Sequence, residues 1–153
     1  MSDSSFDPTQ FLDATTTEAN TRRPALPAGT VLQGQILDIT PRAWQGKADP
    51  SKSGVALDVK IHCQVPVELQ AQGQPAELSF TDGIMLDQKE GGGIDMSPGK
   101  NGKLRRYRES TDTNTPGVAF SPRMLIGKFV KVKTKVEPYE GELYDRVDSI
   151  AHI

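Results

Sequence analysis

Val55-Ala56-Leu57-Asp58-Val59-Lys60-Ile61-His62-Cys63 is the stretch on which the fold turns. Val55, Leu57, Val59, Ile61 and Cys63 share one parity, and Ala56, Asp58, Lys60 and His62 the other. Successive side chains of a strand point to opposite faces, so this pattern buries one face and leaves the other wet. That is the mark of half-buried antiparallel sheet. The alternation returns over Lys128–Val136, with Val130, Val132, Thr134 and Val136 on one side and Phe129, Lys131, Lys133 and Lys135 on the other. Pro138-Tyr139-Glu140-Gly141 supplies a turn and Leu143–Ile150 a returning strand, so this region reads as a hairpin.

Upstream, another strand is expected at about Thr30–Ile39, with Gly34 marking a bulge or a bend. Residues 40–53, carrying Pro41, Arg42, Trp44, Lys47 and Pro50, read as a polar loop. Downstream, a loop or short helix near Val67–Gly73 leads to a strand at about Ala76–Leu86. Gly91-Gly92-Gly93 through Lys103 reads as a flexible loop and Leu104–Ser110 as a short basic helix. Ser121–Gly127 reads as a helical turn with Pro122 first. Five short strands with a helical insertion before the last hairpin predict a mainly β chain. The expected form is a partly open five-stranded barrel of oligonucleotide-binding (OB) type with short helical insertions. It would span residues 30–153, with a flexible loop at about 88–103, behind a flexible, partly disordered arm over residues 1–29. In that arm Phe6–Leu12 fits one helical turn, capped by Asp7 with Pro8 at the first position.

The chain of 153 residues is sized for one domain. No apolar run approaches the ~20 residues a membrane helix needs, and Met1–Ser5 is polar, unlike a signal peptide. A cytosolic protein with no membrane partner is expected. Cys63 is the only cysteine, which excludes an intramolecular disulfide and a cysteine-based zinc site. A net charge of −2 argues against a wholly basic binder and still allows a local basic surface. The bases gather late, at Lys100, Lys103, Arg105, Arg106 and Arg108, then at Lys128, Lys131, Lys133 and Lys135.

Lys131, Lys133 and Lys135 stand two apart, so their ammonium groups line one side of one strand, which Phe129, Tyr144 and Arg146 are placed to share. Cations alternating with aromatics are how a sheet follows phosphates while bases stack. Edge strands also carry lysines to block aggregation, so the row fits both uses. In Lys103-Leu104-Arg105-Arg106-Tyr107-Arg108 the arginines suit phosphate and base contact, with Tyr107 among them, or else form a solvated helix face balanced by Glu109 and Asp112. Trp44, flanked by Arg42 and Lys47, is a stacking candidate or a plug for one barrel end.

Enzyme signatures are missing. Gly99-Lys100 lacks the earlier glycine and the following Ser or Thr of a nucleotide-binding phosphate loop, since Ile94 and Asn101 hold those places. His62 and Cys63 have opposite parity, and no pattern sets either histidine beside a nucleophile or a second metal ligand. Asp82, Asp87, Glu90 and Asp95 lack calcium-loop spacing. Catalysis, a metal and a cofactor are not expected.

Several blocks resemble small phage proteins of replication and recombination modules, a family largely of unknown function that includes single-stranded DNA-binding proteins. They are Phe6–Leu12, Leu26-Pro27-Ala28-Gly29, Ser51-Lys52-Ser53-Gly54 before Val55–Ile61, Leu125–Lys133, and Tyr139-Glu140-Gly141-Glu142-Leu143-Tyr144. The resemblance spans about half the chain in scattered pieces. It implies a partly open barrel that coats single-stranded DNA in the cytoplasm of a bacterial host. Phage or host replication proteins, or further copies of the chain, would be additional partners. The chain departs from bacterial single-stranded DNA-binding proteins in having no acidic tail after Asp148-Ser149-Ile150-Ala151-His152-Ile153, which puts recruitment through such a tail in doubt.

Two functions follow as expectations. The first is sequence-tolerant binding of single-stranded DNA by Trp44, Arg105, Arg106, Tyr107, Arg108, Lys131, Lys133, Lys135, Tyr144 and Arg146. The second is a non-enzymatic phage accessory or virion protein that binds another protein through its arm, with Phe6, Phe11 and Leu12 as anchor, or through an edge strand.

Overall fold

The computed structural model describes residues 6–153, so the polar start at Met1–Ser5 lies outside it. The chain is mainly β. Strands β1 (Val31–Gln45), β2 (Ser53–Gln64), β3 (Glu77–Met85), β4 (Phe129–Tyr139) and β5 (Glu142–Ala151) form one antiparallel sheet in the order β3-β2-β1-β4-β5. Helices are short: α1 (Pro8–Leu12), α2 (Val67–Gln70), α3 (Gly102–Ser110), and a 3-10 turn at Pro122–Leu125. No helix among the described residues is long and apolar enough to cross a membrane.

The parity of β2 is realised over Leu57–Cys63: Leu57, Val59, Ile61 and Cys63 are buried, and they pack with Leu32, Ile36, Phe80, Ile84, Val130 and Val132. At the start of the strand it is not, since Ala56, expected on the wet face, is fully buried and Val55 only partly so. Gly34 sits beneath this layer. A Cβ there would stand 2.7 Å from Ile61 Cγ2 and 3.0 Å from Cys63 Sγ, so glycine lets β1 bend close over β2. The bulge itself falls further on, between Ile36 and Asp38. It explains why Leu32 and Ile36 are buried, Leu37 is exposed, and Ile39 packs on the core again at the other parity. The hairpin joining β4 to β5 turns on Glu140 (φ 49°) and Gly141 (φ 80°), the two positive φ values of a type I′ turn.

One boundary differs from expectation. The polar segment after Ile39 is strand as far as Gln45, and only residues 46–52 form the loop. Polar cross-strand contacts hold this extension, notably Arg42 Nε to Asp58 Oδ2 at 2.9 Å. Pro41 is tolerated because, among the described residues, that side of β1 is hydrogen-bonded only as far as Ile36, by β4 along Val31–Gln35 and by Gly127 and Lys128 at Ile36.

The sheet is open. β3 and β5 run parallel by topology and approach each other, but no backbone hydrogen bond joins them among the described residues. Each presents an inward carboxylate to the gap, and each carboxylate is capped from outside the sheet. Asp82 on β3 accepts hydrogen bonds from Tyr107 Oη (2.5 Å) and Lys103 Nζ (2.7 Å) of α3. Asp145 on β5 is held by Arg23 through Nη1 (2.5 Å) and Nη2 (2.6 Å), and by the Leu26 amide at 2.8 Å. Buried Gln74 completes this second clasp, accepting from Arg23 and donating to the Pro24 carbonyl. Inward charges keep an edge from recruiting a foreign strand, and here they also fasten α3 and the arm across the gap. The Gly-rich segment is tied in a similar way: the Asn101 side chain bonds the backbone of Asp87 and Asp95, and Gln88 bridges to Ile94.

Candidate functional site

The outward side of β4 carries Phe129, Lys131, Lys133 and Lys135, and the register shows their neighbours. Val31, Lys133 and Ser149 make one row across the sheet; Gln33, Lys131 and Ala151 make the next; Phe129, Gln35, His62 and Ser79 make the third. No Asp or Glu occupies any of these positions. Among the described residues neither Lys131 nor Lys133 has a carboxylate oxygen within 4.0 Å. Among the described residues acids reach this surface at its margins: Glu77 lies 3.5 Å from His62, and exposed Asp148, the extra residue of β5 between Val147 and Ser149, adds its charge to those around Lys135. Residues two apart on a strand are separated by about 6.8 Å, on the scale of the phosphate repeat of an extended nucleic-acid strand. Phe129 is 52 % exposed, and a hollow of about 200 Å³ lies beside it, lined by Gln33, Gln35, His62 and Gln64.

Further along β4 the charge is internally balanced. Glu137 pairs with Lys135 (2.9 Å) and with Arg146 (3.1 Å). The hydrogen bond and then the charge of Glu137 hold the Lys135 ammonium above its ordinary pKa, and Lys135 in turn lowers that of Glu137. These two cations are therefore partly spoken for. Tyr144, opposite Glu137, is covered by the arm: the Arg22 guanidinium lies 3.9 Å from the ring centroid.

The basic cluster of α3 is divided by its own helix. Arg105 and Arg106 are exposed, and Arg105 pairs with Glu109 at 3.4 Å. Arg106 faces a cleft of about 160 Å³ with Lys103 and Lys135. Tyr107 and Arg108 depart from expectation. Tyr107 is 1 % exposed; burial and then the adjacent Asp82 charge push its hydroxyl far above the usual range. Arg108 is buried, donates to the Thr113 carbonyl from Nε and Nη2, and stacks over Phe120 at 4.1 Å. Both side chains are buried rather than exposed beside Arg105 and Arg106. Their spacing puts them on the inner side of α3 beside Leu104, because residues three and four apart share a helix face.

Trp44 lies on the outer side of the β1–β2 hairpin, half-buried, with its ring on Gly54. A Cβ at Gly54 would stand 2.8 Å from Nε1, so the indole fills the space a side chain would take. Eleven residues separate Trp44 from Gln33 along β1, roughly 35 Å at strand rise. The expected site residues thus fall in three places: the lysine face, the gap beside α3, and the far hairpin. Gln33, Gln35 and His62 were not anticipated. Gln33 and Gln35 share the parity of exposed Val31, and pairing the strand with β4 is what sets them beside the lysines.

No protein-family model matches the chain, and no curated protein matches it either.

Proposed function

We propose that this chain binds single-stranded DNA without sequence preference, on the outer face of β4 and its neighbours. The observation that carries the proposal is that the cross-strand rows through Lys131 and Lys133 hold no carboxylate and neither lysine is ion-paired among the described residues, in a chain with a net charge of −2. Three successive rows of this sheet carry no Asp or Glu, although the chain has 20 acidic residues. Lys131 and Lys133 neutralise phosphates, Phe129 stacks a base, and the Gln33 and Gln35 amides bond base edges without requiring one base. The open sheet is, on this proposal, a partly open barrel of OB type. The shared central strand β1, the gap between β3 and β5, and the helix inserted between β3 and β4 support it. The setting proposed is phage DNA replication or recombination in the bacterial cytoplasm, with no catalytic step.

The test is anisotropy of a labelled oligo-dT strand, with duplex DNA as control. Lys131→Glu with Lys133→Glu should abolish binding while circular dichroism shows an intact sheet. Unchanged affinity in that variant overturns the assignment of the face.

One observation favours a second reading, a protein-docking arm. Phe6 and Phe11 pack together at 5.1 Å yet are 71 % and 69 % exposed, with Leu12 exposed beside them. An exposed apolar tip of this kind suits a partner's groove. Removing residues 6–20 separates the two: DNA binding survives, and docking to a partner is lost.

A further inference from the structure

Arg22 lies over the ring of Tyr144. Its guanidinium, planar and cationic, lies 3.9 Å from the Tyr144 ring centroid, in stacking contact. Nη1 is fixed by Glu142 Oε2 at 3.1 Å and the Leu143 carbonyl at 3.4 Å, and the Tyr144 hydroxyl leans on the same Glu142 oxygen at 3.2 Å. Tyr139 closes one edge of the ring at 6.1 Å. These contacts are shallow, with the Arg22 and Glu142 side chains 45 % and 53 % exposed. The neighbouring Arg23–Asp145 clasp is of another kind, bidentate and inward. Arg23 is therefore the anchor of the arm, and Arg22 an exchangeable cover.

The cover stands at the end of the lysine track. Phe129, Lys131, Lys133, Lys135 and Glu137 share the outward side of β4, and Tyr144 is the partner of Glu137. Phe129 and Tyr144 are thus about 26 Å apart at strand rise, a span within the few nucleotides one such sheet engages. Beside Tyr144 opens a cleft of about 300 Å³ in the gap between β3 and β5, lined by Ser79, Thr81 and Arg146 as well as Arg22 and Arg23.

We infer that Tyr144 is a second base-stacking position of the binding track, and that Arg22 holds that position in the free protein until a nucleobase displaces it. This rests on the proposed binding of single-stranded DNA. Its consequence runs against simple electrostatics. Deleting a cation from a nucleic-acid binder ordinarily weakens it, whereas deleting a competitor for a stacking platform strengthens it.

The experiment measures oligo-dT affinity for the wild type and for Arg22→Ala, Tyr144→Ala and the double variant. Arg22→Ala should bind about three- to tenfold more tightly, the scale of an exposed cation–π contact together with a surface ion pair. Tyr144→Ala should bind more weakly, and in its background Arg22→Ala should give no gain. Weaker or unchanged binding by Arg22→Ala overturns the inference while leaving the wild-type interaction, and with it the proposed function, in place. A gain that persists without Tyr144 also overturns it. If no chain of the set binds the strand at low salt, the proposed function and the inference fall together.

Discussion

Tyr107 and Arg106 are neighbours with opposite fates, and residue-level chemistry separates them. Tyr107→Phe keeps the volume and removes the proton that Asp82 accepts, leaving a buried carboxylate oxygen one donor short. A loss of about 1–3 kcal/mol is expected, read as a lower melting temperature, with affinity for oligo-dT unchanged. A drop in affinity at equal stability would return Tyr107 to the binding surface. At Gly34 a methyl group has no room against Ile61 and Cys63, so Gly34→Ala should cost about 1–3 kcal/mol by overpacking. Cys63 is wholly buried, and burial pushes its thiol up to about 11. The thiolate is the reactive form, so alkylation at pH 8 should follow the fraction of unfolded chain; rapid labelling of the folded protein would contradict the packing of β2 under β1.

Among the elements, the arm is the one whose role changes most once its contacts are known. Its segment Arg22–Leu26 is fastened to β5 by the Arg23–Asp145 clasp, in which the Asp145 side chain is 6 % exposed. Arg23→Ala leaves that carboxylate inside without its cation and should destabilise the fold by about 3 kcal/mol. A deletion ending before Arg22 should leave the melting temperature nearly unchanged, and one running through Arg23 should lower it as the point substitution does. The clasp also predicts a pH dependence. Burial alone would raise the Asp145 pKa, but the hydrogen bonds from Arg23 and the Leu26 amide, with the Arg23 charge, bring it below the ordinary value. The folded value lies under the unfolded one of about 3.9, so the stabilisation is complete above that pH and disappears as pH falls through the folded value. Acid unfolding of Arg23→Ala should lack this component; superimposable acid curves would show that the clasp carries no linkage.

For the whole molecule, the decisive quantity is how many cations face a ligand at once. If the lysine face alone binds, two or three phosphates are neutralised. The slope of log affinity against log salt should then be roughly −1.4 to −2.1, at about −0.7 per phosphate on a single strand. Engagement of the six cations grouped in the sequence, Lys131, Lys133, Lys135, Arg105, Arg106 and Arg108, would bring it to roughly −4. The ion pairs of Lys135 and Arg105 and the burial of Arg108 favour the shallower slope. A slope near −4 would mean that those pairs exchange for phosphate on binding.

Local pattern was enough for the strands, the hairpin turn and the cap of α1, because alternation, a Glu-Gly turn and an Asp-Pro start act between near neighbours in the chain. It also showed that Lys131 and Lys133 point the same way. It misjudged the segment after Ile39, where polar residues pair across an exposed hairpin and leave no apolar alternation to detect. Whether a cation is free or held depends on partners far along the chain: Asp82 lies 21 residues from Lys103, and Asp145 lies 122 residues from Arg23. The amino-acid sequence alone determined a β chain with a row of outward lysines. Only the tertiary structure decided that Tyr107 and Arg108 face inward, that Trp44 stands far from the lysines, and that Arg22 covers Tyr144, since Coulomb energy and burial depend on distance in space and not along the chain.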